Sequence, residues 1–324
     1  GGTYVVDGRA GNDIVTMPDY GRTVKLADMT VVTSIDGKSA TITLASKPGF
    51  NAVISNIERI EVGDQSAALS DFINRADMAT MGLLAGDANR WNAGLTLGTP
   101  ASLTFSFNAS APADGIGASG FRAFAEAERV AVRTILADAA ALTGLTFTEV
   151  ADGTGVKLRF GASQQTATKG VAAMPGETGA GQVWMDVDSI ANLAPGSEGY
   201  AALLHEIGHA LGLRHPLNVD GSDNYALQWR LEDDLTSLSV MAHTASVDGL
   251  FPSTFGALDI TALRHLYGSK ASNAGDTFYA LGSMRFQSQT SIADDGGADT
   301  IDASLARTGA SIDLAPGRLS SVGV

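Results

Sequence analysis

The chain has 324 residues and a formal net charge of −14, from 35 acidic and 21 basic residues, with five histidines and no cysteine. That acidity argues against nucleic acid as a partner, because phosphates need basic neutralisation. The lack of cysteine excludes disulfides and thiolate metal sites. The length accommodates two domains or three small ones, and no run approaches the ~18 consecutive apolar residues of a membrane-spanning helix.

In chain order, residues 1–66 read as β-structure. Val5-Val6, Thr30–Thr33, Ala40–Leu44 and Val53-Ile54 are rich in β-branched residues, and Asp36-Gly37 is a hairpin signal. Gly8–Val15 has the form of one calcium β-roll nonapeptide with Arg9 in place of a glycine, and is read here as an ordinary turn leading into a strand. Residues 67–90 read as helical through Phe72, Ile73, Met78, Met81 and Leu84. A long amphipathic helix is expected over Ser119–Leu142, with Phe121, Phe124, Val132, Ile135, Leu136 and Leu142 on its apolar face and Gly144 as its stop. Strands are expected at 145–150, 156–160 and Gly181–Val187, and residues 268–276 read as a linker.

The stretch His205-Glu206-Ile207-Gly208-His209-Ala210-Leu211-Gly212-Leu213-Arg214-His215 carries the chemistry. On a helix capped by Ser197, His205 and His209 leave the same face four residues apart, and both can meet one metal ion. Leu203, Leu204, Ile207 and Leu211 face the core. Gly212 permits a left-handed turn that brings the chain back and delivers His215 as a third nitrogen ligand. Three imidazoles with an open fourth position describe a catalytic rather than a structural Zn2+ site. Glu206 stands beside them as a general base.

These residues resemble the serralysin-type metzincins, secreted bacterial zinc endopeptidases of the RTX class. The resemblance runs from about residue 75 onward, through Trp91-Asn92, Leu103–Phe107, Leu145–Val150 and the helix Asp259–Gly268. It implies an α+β fold: a metzincin catalytic domain at 67–268, with a twisted mixed sheet and zinc-site helices. An N-terminal β-rich domain at 1–66 and the start of a C-terminal calcium-binding β-roll domain at 269–324 would flank it. In Ser239-Val240-Met241-Ala242-His243 the resemblance makes Met241 the methionine of the turn beneath the zinc. The family has tyrosine where this chain has His243, whose imidazole is able to replace the phenol in binding zinc or stabilising an oxyanion. The strand carrying Trp184 corresponds to the sheet edge along which substrate adds as an extra strand. Gly275, Thr277, Asp294, Gly296, Gly297 and Asp299 match calcium ligands of the β-roll, so Ca2+ is a second expected metal. Export is expected through a C-terminal signal beyond residue 324. The expected partners are protein or peptide substrates, including an RTX or surface-layer protein, and the expected state is a monomer. The alternative is a latent or inactive metzincin serving as a calcium-dependent surface or binding module.

Overall fold

The computed structural model describes residues 3–17, 29–33, 39–44, 47–62, 65–69, 80–113, 115–217, 234–245, 249–281, 289–307, 309–314 and 320–323. The hairpin signal at Asp36-Gly37 lies outside them. The chain divides into two compact units, Gly1–Met81 and Gly82–Val324.

The first unit is all β among its strands. β1 (Thr3–Asp7), β3 (Met29–Thr33), β4 (Ser39–Leu44) and β5 (Asn51–Ser55) form a sheet in the order β1-β5-β4-β3. β2 (Ile14–Met17), β6 (Arg59–Val62) and β7 (Gln65–Ala68) form a second, in the order β2-β6-β7. β1 runs parallel to β5 and β2 parallel to β6, so the turn at Gly8–Asp13 stacks on the turn that follows β5. Alternate side chains of β2, β4, β5 and β6 are buried, as period-two patterning requires. Ile42, Ile54, Ile60 and Val62 form the centre of this core.

The second unit is built on a five-stranded sheet. β8 (Ala101–Phe107), β9 (Leu145–Glu149), β10 (Leu158–Ser163), β11 (Gly170–Ala172) and β12 (Gln182–Asp186) lie in the order β11-β12-β10-β8-β9. Only β11 is antiparallel to its neighbour. Leu103, Phe105, Leu158, Phe160, Val183 and Met185 supply the buried faces. Among the described residues three α-helices belong to the unit: α1 (Glu126–Leu142), α2 (Glu198–Ala210) and α3 (Ala257–Tyr267). The C-terminal stretch adds two short ladders, β13 (Phe278–Ala280) with β14 (Thr300–Asp302), and β15 (Gly309–Ser311) with β16 (Ser321–Gly323).

Two expectations need correction. The helix expected at 119–142 begins only at Glu126. Glu128 reaches back to accept the Ala125 N–H at 2.6 Å and also takes Arg122 in a two-bonded pair, so the chain before it is held as a loop. Among the described parts of 67–90 there is no long helix: 65–68 is β7, 80–82 is helical, Leu84 bridges to Leu213, and Asp87–Asn89 is a single 3-10 turn. Phe72, Ile73 and Met78 lie outside the described residues.

Candidate metal centre

α2 starts where the Ser197 hydroxyl accepts the Tyr200 N–H. It runs under the sheet with Leu203, Leu204 and Ile207 buried. His205 and His209 project from its other side, and the chain reverses at Gly212, whose φ is +102°. A side chain at Gly212 would overlap the Asn89 carbonyl, so both the dihedral and the packing demand glycine there.

The reversal brings His215 Nε2 within 3.0 Å of both His205 Nε2 and His209 Nε2. Among the described residues this is the one group of three or more His, Asp or Glu ligand atoms gathered within 4.8 Å. Each helix imidazole is fixed from behind by a backbone carbonyl. His205 Nδ1 meets the Val240 carbonyl at 2.7 Å, and His209 Nδ1 meets that of Leu213 at 2.9 Å. Those bonds require the proton on Nδ1, which leaves two bare Nε2 lone pairs directed at one point. His215 Nε2 can donate to only one of them at a time, so a cation at that point would satisfy what the rings alone do not. Burial is the largest influence on both rings and favours their neutral form, lowering His205 to about 4 and His209 well below its usual value. In a tetrahedral zinc site, ligand nitrogens about 2.05 Å from the metal stand about 3.3 Å apart, close to the spacing seen here. The donor set fits zinc.

Glu206 is buried beside the triad. Burial pushes its carboxyl up to about 8, while the Ala172 N–H favours the charged form. Gly170 makes room for it, since a β-carbon there would lie 2.7 Å from Glu206 Cγ and 2.8 Å from Met185 Sδ. Beneath the centre, Met241 packs against Gly208, where an added β-carbon would come 2.5 Å from its sulfur. The turn bearing Met241 is held by Asp259, a fully buried residue of α3. Its carboxylate accepts from the Ser239 hydroxyl at 2.5 Å and from the Val240 and Gly256 N–H groups at 2.8 Å. Asp259 thereby holds the residue whose carbonyl orients His205. Sequence reading missed Asp259, although its position three residues after Gly256 has capping-box spacing.

His243 is exposed and stands outside the cluster of three, its ring 4.3 Å from that of His215 at an interplanar angle of 63°. Its backbone N–H donates to Asp234, itself 1% exposed. The assignment of the edge strand is corrected: β12 lies inside the sheet and β11 forms the edge. Trp184 is 5% exposed and packs over Gly117, Gly161 and Phe121. Successive side chains of β12 alternate in direction, so Trp184 points away from the face on which Met185 and Glu206 both crowd Gly170. In the C-terminal stretch, Thr277 N–H donates to Asp299 at 2.9 Å and Thr277 Oγ1 to the Gly275 carbonyl at 3.0 Å. Gly297 packs on Gly275, and Asp294 accepts from the Gly296 N–H and from the Tyr279 hydroxyl.

Fold and centre together give a three-histidine, zinc-fitting site on a helix beside a mixed sheet, an arrangement consistent with a metzincin domain. No family model matches the chain. It is, however, similar in sequence to serralysin-type metalloproteases. Serralysin A of Dickeya chrysanthemi is 31% identical over 261 residues, which is 72% of this chain and 55% of that protein. Metalloprotease AprA of Pseudomonas entomophila (strain L48) is 30% identical over 260 residues, 68% of this chain and 53% of that protein. Serralysin of Proteus mirabilis is 28% identical over 280 residues, 74% of this chain and 57% of that protein. The chain thus spans about half the length of the curated relatives it matches.

Proposed function

We propose that this protein is a secreted zinc endopeptidase that hydrolyses peptide bonds in protein or peptide substrates. The observation that carries the reading is the convergence of three Nε2 atoms, two of them necessarily bare, beside a buried glutamate. Zinc held by His205, His209 and His215 would supply the Lewis acidity that activates water and polarises the scissile carbonyl. Glu206 takes the proton of the attacking water and passes it to the departing amine. Its burial supports this shuttle, because a carboxyl drawn toward neutrality both accepts and releases a proton near neutral pH. The His243 imidazole, lying over His215, offers a hydrogen bond to the developing oxyanion. Substrate lies extended along β11, where Ala172 has one face free of the β12 ladder.

Outside the centre, Gly275, Thr277, Asp294, Gly296, Gly297 and Asp299 form calcium-binding turns that order the C-terminal stretch. Their domain follows the catalytic one, and a β-rich domain precedes it.

The test is cleavage of a quenched unfolded-protein substrate with zinc and calcium present, beside Glu206→Gln. Hydrolysis by the wild type and its loss in the variant, with zinc content unchanged, is the expected result. Full turnover by Glu206→Gln would sink the mechanism. The edge-to-face contact of His243 with His215 favours a second reading, in which His243 closes the fourth zinc position and the chain is a latent, calcium-dependent binding module. Silence of the wild type together with hydrolysis by His243→Tyr would select it.

A further inference from the structure

The third histidine is delivered by the turn at 211–214, and that turn is not self-supporting. Its inner bonds, Gly212 N–H to the His209 carbonyl and Leu213 N–H to that of Gly208, close the end of α2. They leave the Ala210 and Leu211 carbonyls and the Arg214 N–H without helical partners in a buried setting. All three are met from elsewhere. Trp91 Nε1 donates to the Ala210 carbonyl at 2.9 Å, and the Tyr267 hydroxyl donates to that of Leu211 at 2.7 Å. Leu83 offers its carbonyl to the Arg214 N–H at 2.9 Å, and Leu84 bridges antiparallel to Leu213. The same tyrosine oxygen accepts the Trp91 N–H at 3.2 Å, which ties the 83–92 segment and α3 into one clamp.

From this we infer that the 83–92 strap, acting through Trp91 with Tyr267, is a positioning device for His215, setting how tightly and how long zinc is held. The inference rests on the zinc-site reading above. The physical case is that Leu213 serves two ligands at once. Its carbonyl fixes the His209 ring, and its chain leads directly to His215. A displacement of this turn moves one ligand and releases the orientation of another. Removing a group that orients a metal ligand typically costs about 10–100-fold in metal affinity. Neither Trp91 nor Tyr267 contacts the metal position, so both are positioning residues.

The experiment is a double-mutant cycle on zinc affinity, read by chelator competition, with Tyr267→Phe and Trp91→Phe in the wild-type and His215→Ala backgrounds. In the wild-type background each variant should weaken zinc binding by about 10-fold or more and speed zinc loss. In the His215→Ala background the same substitutions should change zinc affinity little, because the ligand they position is gone. Equal losses in both backgrounds would overturn the inference and mark these residues as general supports of the fold. Should Tyr267→Phe fail to fold, Trp91→Phe, which keeps an aromatic ring but deletes the indole donor together with part of the ring volume, completes the same cycle. Failure of the zinc reading itself shows separately: wild type and His205→Ala would then bind zinc equally.

Discussion

The histidine centre and the aspartate-rich stretch at 275–299 both gather metal-binding residue types, yet they are built in opposite ways. The histidines are half-buried, and two of the rings are locked by backbone carbonyls from a turn and a helix end, each braced in turn by the core. The aspartates are exposed, and their oxygens are occupied by nearby backbone N–H groups such as those of Gly296, Ala298 and Thr277. The first arrangement holds its ligands in place by packing, with lone pairs that only a cation satisfies. The second leaves carboxylates on turns that a cation would have to draw together. Preorganisation should therefore be a property of the zinc centre, and calcium-dependent order a property of the C-terminal stretch.

The largest effect should come from separating the two metals. Withdrawing zinc should abolish hydrolysis while leaving the protease resistance of residues 269–307 unchanged. Withdrawing calcium with a selective chelator should open that stretch to limited proteolysis and leave zinc content intact. Loss of zinc on calcium removal would show that the two regions are one cooperative system, and the contrast would fall.

The next effect tests whether packing really holds the histidine side. Asp259→Asn leaves three donors facing an amide, and should cost about 1–3 kcal/mol, seen as a lower denaturation midpoint. The pH dependence has a definite sign. Burial pushes the Asp259 carboxyl up to about 6 from 3.8, despite the hydrogen bonds it accepts. The folded chain thus holds this proton more tightly than the unfolded one. The stability that this adds is full below the unfolded value and is lost as pH rises through about 6. Asparagine does not titrate, so the gap between wild type and Asp259→Asn should narrow across that window. Denaturation midpoints of the two zinc-free proteins on either side of it would check this, and a constant gap would contradict it.

Much of the zinc centre was legible because its spacing is dictated by one helix and one glycine turn, both local features. The three histidines, Glu206, Ser197 as cap and Gly212 as the reversal follow from chemistry within ~20 residues of sequence. What was not legible depends on pairing. β11 is three residues, Gly170-Val171-Ala172, too short to show a period, and the edge was assigned to the strand beside it by the family resemblance. Trp184 looked like a cleft residue because nothing local says that Gly117 and Gly161 leave space for its ring on the opposite face. Tyr267 acts across a separation of 56 residues, and Asp259 reaches a turn with no helical or strand period linking the two, so only the fold brings them to the turns they hold. Among the described residues the helical reading of 67–90 holds only at 80–82, and it failed at 83–90 because apolar spacing alone does not separate a helix from a buried extended strap.

A smaller effect is expected at Gly170. Its substitution by alanine brings a β-carbon against Glu206 Cγ, yet touches no metal ligand. Turnover should fall by about 10-fold, as a misplaced general base loses part of its contribution, while zinc affinity holds. Measuring kcat and zinc content in the same preparation separates the base from the metal.

The smallest effect should lie on the exposed side. Asp299 accepts a single backbone N–H, from Thr277, and is solvent-accessible, so without calcium Asp299→Asn should change stability by no more than about 0.5 kcal/mol. With calcium, the wild type should gain stability through ligand linkage and the variant should gain less. The measured quantity is the shift in thermal midpoint between calcium-free and calcium-saturated protein. A large loss already present without calcium would mean that Asp299 is part of a preformed structure, as the histidines are. The two regions would then differ in ligand type alone and not in how they are built.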